Sequence, residues 1–282
     1  MPSLSRALFL ALLLVFSQHL SAEGVQANIS YKSGPGLTDY ERDWCKLDLY
    51  LPAEQKGFPT LVWFYGGGLT TGSKEGLAKL AAVFNRHGIA FAAVNYRLNP
   101  KVTYPAYVED AAAAFAWVKT HIAEKGGDLA RVFLGGHSAG AYLASLVAMD
   151  ARYLQKFGLT PAAIAGVLPV SGQMMTHFTV RKERGLDANT ITSDEAAPIY
   201  YTRKVSPPFL IIMGDHDWPA RWEENLYFAA AMKAAGNDHV ATLQIPDRTH
   251  GTIVGKLTEP GDPGAQAMLD FIQASPLPPP SK

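Results

Sequence analysis

The stretch Val132–Gly140 reads VFLGGHSAG, an apolar run that ends in the pattern Gly-X-Ser-X-Gly centred on Ser138. The β-branched and aromatic residues before the pattern are typical of a buried strand. The alanine- and leucine-rich segment after it is typical of a packed helix. Between them the turn is so tight that glycine is needed at both ends and the serine hydroxyl projects above the sheet. The stretch predicts a strand–turn–helix unit with Ser138 as a candidate nucleophile.

Outward from this unit, strand-like and helix-like segments alternate along the chain. Such alternation favours an α/β fold in which a mostly parallel sheet is flanked by helices. Helix-like segments are missing between the first strands, which predicts antiparallel hairpins there. The predicted strands are Lys46–Leu51, Thr60–Tyr65, Ala90–Val94, Arg131–Leu134, Ile164–Val170, Pro208–Met213 and Val240–Ile245. The predicted helices are Leu77–His87, Tyr107–Glu124, Ser138–Met149, Arg221–Ala235 and Gly264–Gln273.

A histidine and two aspartates follow the last two predicted strands. His250 lies on the loop after the final strand, where it can accept the proton of a serine hydroxyl. The preceding strand leads into GDHD, in which Asp215 and Asp217 compete for the role of the acid that orients the imidazole. We favour Asp217 because it reaches further, whereas Asp215 is better placed to cap the loop. The chain order Ser138, Asp217, His250 is the order found on strand–turn–helix nucleophiles of this kind.

The run Trp63–Leu69, WFYGGGL, is a candidate anion site. Consecutive glycines let backbone N–H groups converge on one point without Cβ clashes. The alternative, a flexible loop, is less favoured because a buried strand leads directly into the glycines. A phosphate-binding loop is not indicated, because no Gly-Lys-Ser/Thr follows.

The segment Gln173–Ile199 interrupts the alternation, being polar and mixed between two strands. Two interpretations stay open: a short lid-like insertion or an ordinary long surface loop. Gln173 and Met174 follow a strand end, so they are candidates for lining a pocket and equally for packing in the core.

The N-terminus resembles a secretory signal peptide over residues 1–22. Arg6 precedes the apolar run Ala7–Phe16, and Leu20-Ser21-Ala22 offers a cleavage site after Ala22. The alternative is a membrane anchor, but ten apolar residues are too few to span a bilayer. We therefore expect a secreted or periplasmic protein without stable membrane insertion after cleavage. Residues 23–275 are predicted to form one domain, and the proline-rich residues 276–282 a disordered tail.

Composition narrows the class of protein. The formal net charge is zero and basic runs are missing, which argues against nucleic acid as a partner. Cys45 is the only cysteine, so an intrachain disulfide is impossible and a packing role is expected for it. Histidines and aspartates do not fall at metal-ligand spacings, so neither a metal nor another cofactor is expected.

Taken together, the motifs resemble α/β-hydrolase-fold esterases of the hormone-sensitive-lipase-like group and related secreted carbohydrate esterases. The resemblance runs from about Cys45 to Ile272. It rests on CKLDLYLP, WFYGGGL, VNYRL, YPAYVEDAAAAFAWV, GHSAG, GDHD and the late His-Gly.

The resemblance implies a role for each matching residue. Ser138 would be the nucleophile, Asp217 the acid and His250 the base. The backbone N–H groups of Gly67, Gly68 and Ala139 would bind the oxyanion. Arg97 and Asp110 would form a structural pair behind the site. Three further candidates for substrate contact are Tyr65, Leu69 and His137, beside Gln173 and Met174.

Tyr65 departs from the family pattern, which usually has histidine before the three glycines. Two hypotheses follow: Tyr65 braces the loop, or its longer side chain brings a hydroxyl to the oxyanion or the substrate.

The function that the resemblance implies is hydrolysis of a carboxylic ester through an acyl-enzyme. Short-chain or aryl esters are expected as substrates, including acetyl or feruloyl esters of plant polysaccharides. An amidase or formamidase on the same triad is the alternative. A non-catalytic binding module is less favoured because all three triad residues are present.

Overall fold

The computed structural model describes residues 24–53 and 56–274. The predicted signal peptide and the predicted tail lie outside the described residues. Within the described ranges, no helix combines the length and the apolar composition that a membrane span requires.

An eight-stranded sheet forms the centre of the fold, in the order β1-β2-β4-β3-β5-β6-β7-β8. The pairs β1–β2 and β2–β4 are antiparallel, and all the following pairs are parallel. The strands are β1 Val25–Ser30, β2 Lys46–Tyr50, β3 Phe58–Phe64, β4 Ala90–Val94, β5 Gly127–His137, β6 Val167–Val170, β7 Phe209–His216 and β8 Val240–Thr249. The predicted mostly parallel sheet is confirmed.

The start of the sheet differs from the prediction in one respect. β2 and β3 follow each other in sequence but do not form a hairpin, because β4 lies between them and pairs with both. The connection from β3 through α2 returns the chain parallel to β3, as a crossover with a helix does. On its other side β2 forms a second antiparallel pair with β1, a strand that was not predicted.

Helices cover both faces of the sheet. They are α1 Asp39–Trp44, α2 Ala78–Arg86, α3 Ala106–His121, α4 Ala139–Met149, α5 Ala151–Gln155, α6 Phe178–Glu183, α7 Arg221–Ala234, α8 Thr252–Gly255 and α9 Pro263–Ala274. Successive residues of a strand face opposite sides. In β3, Val62 and Phe64 pack with α3, α4 and α7, whereas Leu61 and Trp63 pack with α2, α8 and α9. Every residue of α4 is buried, which explains its alanine-rich sequence.

Arg97 and Asp110 form the buried pair that the resemblance implied. The guanidinium binds the carboxylate of Asp110 in a bidentate manner, with Nε–Oδ2 and Nη2–Oδ1 distances of 2.8 Å. The backbone N–H of Arg97 also donates to Oδ2, at 3.0 Å. The backbone N–H of Asn99, two residues further on, donates to the carbonyl of Leu69. The pair thus fixes the segment that holds the glycine loop.

Cys45 has the packing role that was expected for it. Its side chain is buried in the core at the start of β2. Burial, together with the nearby charge of Asp110, raises the pKa of the thiol to about 12. A thiol with such a pKa is unreactive at neutral pH.

Candidate active site

Ser138 occupies the turn between β5 and α4 with a backbone that few residues adopt. Its φ is 54° and its ψ is −116°. Its backbone N–H is held by the carbonyl of Val170 in β6, at 2.9 Å. A non-glycine residue in such a conformation costs about 1–3 kcal/mol. The surrounding sheet therefore maintains a strained turn that presents the hydroxyl beyond the carboxyl end of β5.

The two glycines of the motif are required by close approach. A Cβ atom at Gly140 would lie 2.0 Å from the carbonyl oxygen of Phe64, and one at Gly136 would lie 2.4 Å from the backbone of Gly140. No real Cβ makes contacts that short. The turn at Ser138 therefore packs against the end of β3, which brings Ser138 next to the glycine loop that begins there.

Ser138, His250 and Asp217 form a continuous hydrogen-bonded chain. The distance from Ser138 Oγ to His250 Nε2 is 2.8 Å, and that from His250 Nδ1 to Asp217 Oδ1 is 2.7 Å. All three side chains are nearly inaccessible, with Ser138 7% and His250 8% exposed and the Asp217 side chain 2% exposed. The structure thus brings together the three residues that the sequence predicted as nucleophile, base and acid.

The structure also separates the two candidate aspartates. Asp217 Oδ1 accepts from the N–H of Trp218 as well as from His250. Burial alone would raise the pKa of Asp217, but these hydrogen bonds outweigh it and lower the pKa below its usual value. Asp215 instead accepts from the backbone N–H of Arg248 and contacts His216, which ties the ends of β7 and β8 together. Its role as a loop-capping residue was also predicted.

Two further side chains hold His250 in place, a role that was predicted for neither of them. Trp218 stacks on the imidazole, with ring centroids 3.6 Å apart and planes 13° from parallel. His137 Nε2 lies 2.8 Å from the backbone carbonyl of His250. Burial, with the neighbouring His250, lowers the pKa of His137 to about 4, so at neutral pH a neutral ring donates this bond. His137 was a candidate for substrate contact, but its hydrogen bond assigns it a bracing role.

Three backbone N–H groups beside Ser138 are free to bind an anion. Those of Gly67, Gly68 and Ala139 donate to no acceptor in the part of the chain that the structure describes. Gly67 has a φ of 120°, which directs its own carbonyl toward the N–H groups of Thr70 and Thr71, both at 3.0 Å. The amide groups at this turn and at the first residue of α4 therefore match the oxyanion site that the resemblance implied.

Tyr65 braces the loop. It is 5% exposed and stacks on Tyr96, with ring centroids 4.5 Å apart. Its hydroxyl donates to the backbone carbonyl of Tyr96 at 3.3 Å, while the Tyr96 hydroxyl donates to the carbonyl of Tyr65 at 2.9 Å. The structure favours the hypothesis that Tyr65 braces the loop, because its hydroxyl points to the carbonyl of Tyr96 and not toward the substrate.

We predict that Tyr65→Phe leaves kcat on a simple ester within about twofold of the wild type. Only one long hydrogen bond away from the triad is lost, which costs at most about 1 kcal/mol of stability. Steady-state kinetics and thermal unfolding check both numbers. A tenfold fall in kcat with unchanged stability would instead place the hydroxyl in the reaction.

The insertion Gln173–Ile199 forms one wall of a cavity of about 640 Å³ beside the triad. Gln173 and Phe178 line the cavity, and the Thr179 hydroxyl donates to the carbonyl of Gly68 at 2.5 Å. The insertion therefore contacts the glycine loop through Phe178 and Thr179. Met174 and Leu69 were pocket candidates, but both side chains are fully buried in the core, and Met175 lines the cavity instead.

His177, at the start of α6, makes the insertion sensitive to acid. Burial, together with the charges of Arg221 and Arg181, holds its pKa well below the usual value near 6.5. Its Nδ1 accepts from the backbone N–H of Thr179, which caps the helix. As the pH falls below about 6.5, the unfolded chain binds a proton at this residue that the folded chain refuses. The stability that His177 contributes is therefore present at higher pH and is lost as the pH falls.

We predict that His177→Asn flattens the dependence of stability on pH. The wild type loses about 1.4 kcal/mol more per pH unit than the variant below pH ~6.5. Asparagine keeps a side-chain cap for the helix but cannot titrate. Urea unfolding of both proteins from pH 7 to pH 5 measures the difference, and parallel curves would contradict the prediction.

Potential metal ligands lie apart from the triad. Among the described residues, Asp215, His216 and Asp247 place three ligand atoms within 4.8 Å of one another, and all three residues are exposed. Because Asp215 already accepts a backbone hydrogen bond, the cluster is accounted for by the loop contacts described above.

Comparison with known proteins agrees with this geometry. Residues 61–254, which include the glycine loop and the whole triad, match the family of the alpha/beta hydrolase fold. The chain belongs to the α/β-hydrolase family. The α/β-hydrolase fold expected from the sequence motifs is thereby confirmed.

Curated relatives of this α/β hydrolase include esterases of Mycobacterium tuberculosis. It is 31% identical to esterase LipQ over 263 residues, which cover 85% of the chain and 60% of LipQ. It is 26% identical to esterase LipC over 216 residues, covering 70% of the chain and 53% of LipC. The chain thus spans little more than half the length of these relatives.

Solved structures share the fold at lower identity. A truncated carbohydrate esterase from gut microbiota superimposes with a TM-score of 0.71 and 20% identity, covering 88% of this chain and 95% of that one. Butyrate-bound esterase Est2 from Thermogutta terrifontis gives a TM-score of 0.67 and 23% identity, covering 89% and 92%. At such identity, the likeness concerns the fold.

Proposed function

We propose that this α/β hydrolase is a serine carboxylesterase. The observation that carries the proposal is the unbroken chain from Ser138 Oγ through His250 to Asp217, next to three N–H groups that donate to no acceptor among the described residues. The similarity to curated esterases over most of the chain supports it.

In the first half of the reaction, Ser138 Oγ attacks the ester carbonyl carbon as its proton passes to His250 Nε2. The carbonyl oxygen becomes an oxyanion, which the N–H groups of Gly67, Gly68 and Ala139 bind. The ester C–O bond then breaks, and His250 returns the proton to the leaving alcohol. An acyl group remains on Ser138.

In the second half, water replaces the alcohol. His250 Nε2 takes a proton from a water molecule while the water oxygen attacks the acyl carbon. The same proton then goes from His250 to Ser138 Oγ as the carboxylic acid leaves. Asp217 stays ionised and holds the imidazole with Nε2 facing the serine. Trp218 and His137 restrict the ring to this orientation. No metal or organic cofactor takes part in these steps.

The substrates that we propose are short-chain or aryl esters, including acetyl or feruloyl esters of plant polysaccharides. A cavity of about 640 Å³ suits a small ligand rather than a long lipid chain. We further propose that the protein is exported to the periplasm or beyond, on the strength of the Arg6 and Ala7–Phe16 pattern alone.

The test is a panel of 4-nitrophenyl esters from acetate to decanoate, with a feruloyl ester and acetylated xylan. We expect the highest kcat/KM on short acyl or aryl esters. Rapid acid quenching should give an intact mass increased by one acyl group, located on the peptide that contains Ser138. Hydrolysis that persists without any acylated serine would refute the acyl-enzyme.

A further inference from the structure

The cavity beside the triad contains two buried arginines. Trp218, which covers His250, and Phe178, whose ring lies 3.0 Å from where a Gly68 side chain would begin, both line it. The cavity therefore lies next to the ring that covers His250 and to the residue that contacts Gly68. Arg221, the first residue of α7, and Arg181, in α6, both contribute to its lining.

Arg221 carries a guanidinium without a hydrogen-bond partner. The residue is 5% exposed, and its guanidinium nitrogens donate to no acceptor within residues 24–53 and 56–274. Nη1 forms a long ion pair with Oε2 of Glu224, at 3.8 Å, which is beyond hydrogen-bonding distance. The other oxygen of Glu224 accepts from the backbone N–H groups of Met174 and Met175, each at 2.6 Å. Glu224 is thus committed to the loop.

Arg181 is likewise buried and has an unused donor. It is also 5% exposed, and its Nη1 donates to the carbonyl of Thr190 at 2.6 Å, whereas its Nε has no partner in the described chain. Burial lowers the pKa of both arginines, and the charge of Arg181 lowers that of Arg221 further. Both arginines therefore line one cavity, which Glu223 and Glu224 also line.

Buried charges are almost always paired, because removing one from water without a partner costs several kcal/mol. Here nearby acidic side chains reduce the cost but leave the N–H donors of Arg221 unused. A guanidinium presents its donors as a planar fork that matches a carboxylate. An anion with two oxygens, supplied from within the cavity, would match the unused donors.

We propose that the cavity binds the carboxylate of a negatively charged ester substrate through Arg221 and Arg181. The inference rests on the proposed esterase function and narrows its substrate class to esters that bear a second, free carboxylate. That carboxylate belongs either to the acyl part of the ester or to the alcohol part.

Two matched pairs of esters distinguish these sources. On the acyl side, mono-4-nitrophenyl glutarate is compared with its methyl ester. On the alcohol side, 3-acetoxybenzoate is compared with methyl 3-acetoxybenzoate. In one of the two pairs, wild-type kcat/KM should favour the free carboxylate about 10- to 100-fold, the usual worth of charge-assisted hydrogen bonds in a protected site.

Arg221→Met and Arg181→Met should each remove most of this preference, measured as the ratio of kcat/KM within the pair. Arg184→Met is the matched control, because Arg184 is paired with Asp194 and Glu195 and does not line the cavity. The control should keep the wild-type ratio. Thermal unfolding separates recognition from structure: removal of a buried guanidinium whose donors are only partly used should leave Tm unchanged or higher.

Equal rates within both pairs for the wild type would overturn the proposal, as would a preference that survives in both arginine variants. A lower Tm with an unchanged ratio would assign Arg221 to structure instead. If the wild type hydrolyses no ester at all, the esterase proposal fails separately. Calorimetry of Ser138→Ala with benzoate and glutarate then decides the arginine site, since binding that Arg221→Met abolishes supports it and absent binding overturns it.

Discussion

Replacing Ser138 by alanine is expected to lower kcat/KM for ester hydrolysis by about 10⁴- to 10⁶-fold. The hydroxyl is the only group on the turn that can form the covalent acyl intermediate. His250 and the oxyanion amides remain in place, so a small residual rate over water is expected. The measurement is initial-rate kinetics on a 4-nitrophenyl ester that the wild type hydrolyses, with protein concentrations matched by absorbance.

Ser138→Gly is a second variant that separates chemistry from folding. The backbone at this position, with φ 54° and ψ −116°, suits glycine better than any residue with a Cβ. We therefore expect the glycine variant to be as inactive as the alanine variant but about 1 kcal/mol more stable. Near-wild-type activity in either variant would remove Ser138 from the mechanism, and lower stability of the glycine variant would contradict the strained turn.

Asp217→Asn is expected to reduce kcat about 10⁴-fold, the effect that amide replacement has on a triad carboxylate. An asparagine at this position can donate to Nδ1 of His250 and so stabilise the tautomer that points a proton at the serine. It also removes the charge that offsets the imidazolium. The rate should recover in part at high pH, where hydroxide can replace the base.

Asp215→Asn is the matched control for this prediction. Both residues lie in the GDHD segment and are two positions apart, but Asp215 bonds to the loop at Arg248 and to His216 instead of to His250. Its replacement should change kcat less than tenfold. The opposite ranking of the two variants would transfer the role of the acid to Asp215.

Local patterns in the sequence were sufficient for the fold and for the triad. A strand–turn–helix unit such as Val132–Gly140 specifies its own geometry. At Gly140, for example, only glycine fits, because a Cβ atom would lie 2.0 Å from the carbonyl oxygen of Phe64. The order of strands and helices then implies that residues after β5, β7 and β8 meet at one edge of the sheet. Ser138, Asp217 and His250 are all located at such strand ends, which is why they could be predicted.

The strand order at the start of the sheet could not be predicted in the same way. Whether β2 pairs with β3 or with β4 depends on which partner the whole chain places beside it, and both are equally apolar. β1 lacked a signal because it lies at an edge, where its partly exposed residues show little periodicity.

The orientation of individual side chains likewise could not be predicted without the tertiary structure. Tyr65 could reach the site or the core, and its stacking on Tyr96, which follows β4, settles the matter. Arg181 and Arg221 are 40 positions apart and resemble ordinary surface charges in the sequence. Only the packing of the insertion against α7 buries them together.

The sequence by itself thus determined the reaction centre, because each of its parts obeys a local rule of strand, turn and helix. Only the tertiary structure decided what surrounds that centre: the braces on His250, the direction of Tyr65 and the two buried guanidinium groups that line the cavity. These features arise between segments distant in sequence, where burial and charge depend on every neighbour at once.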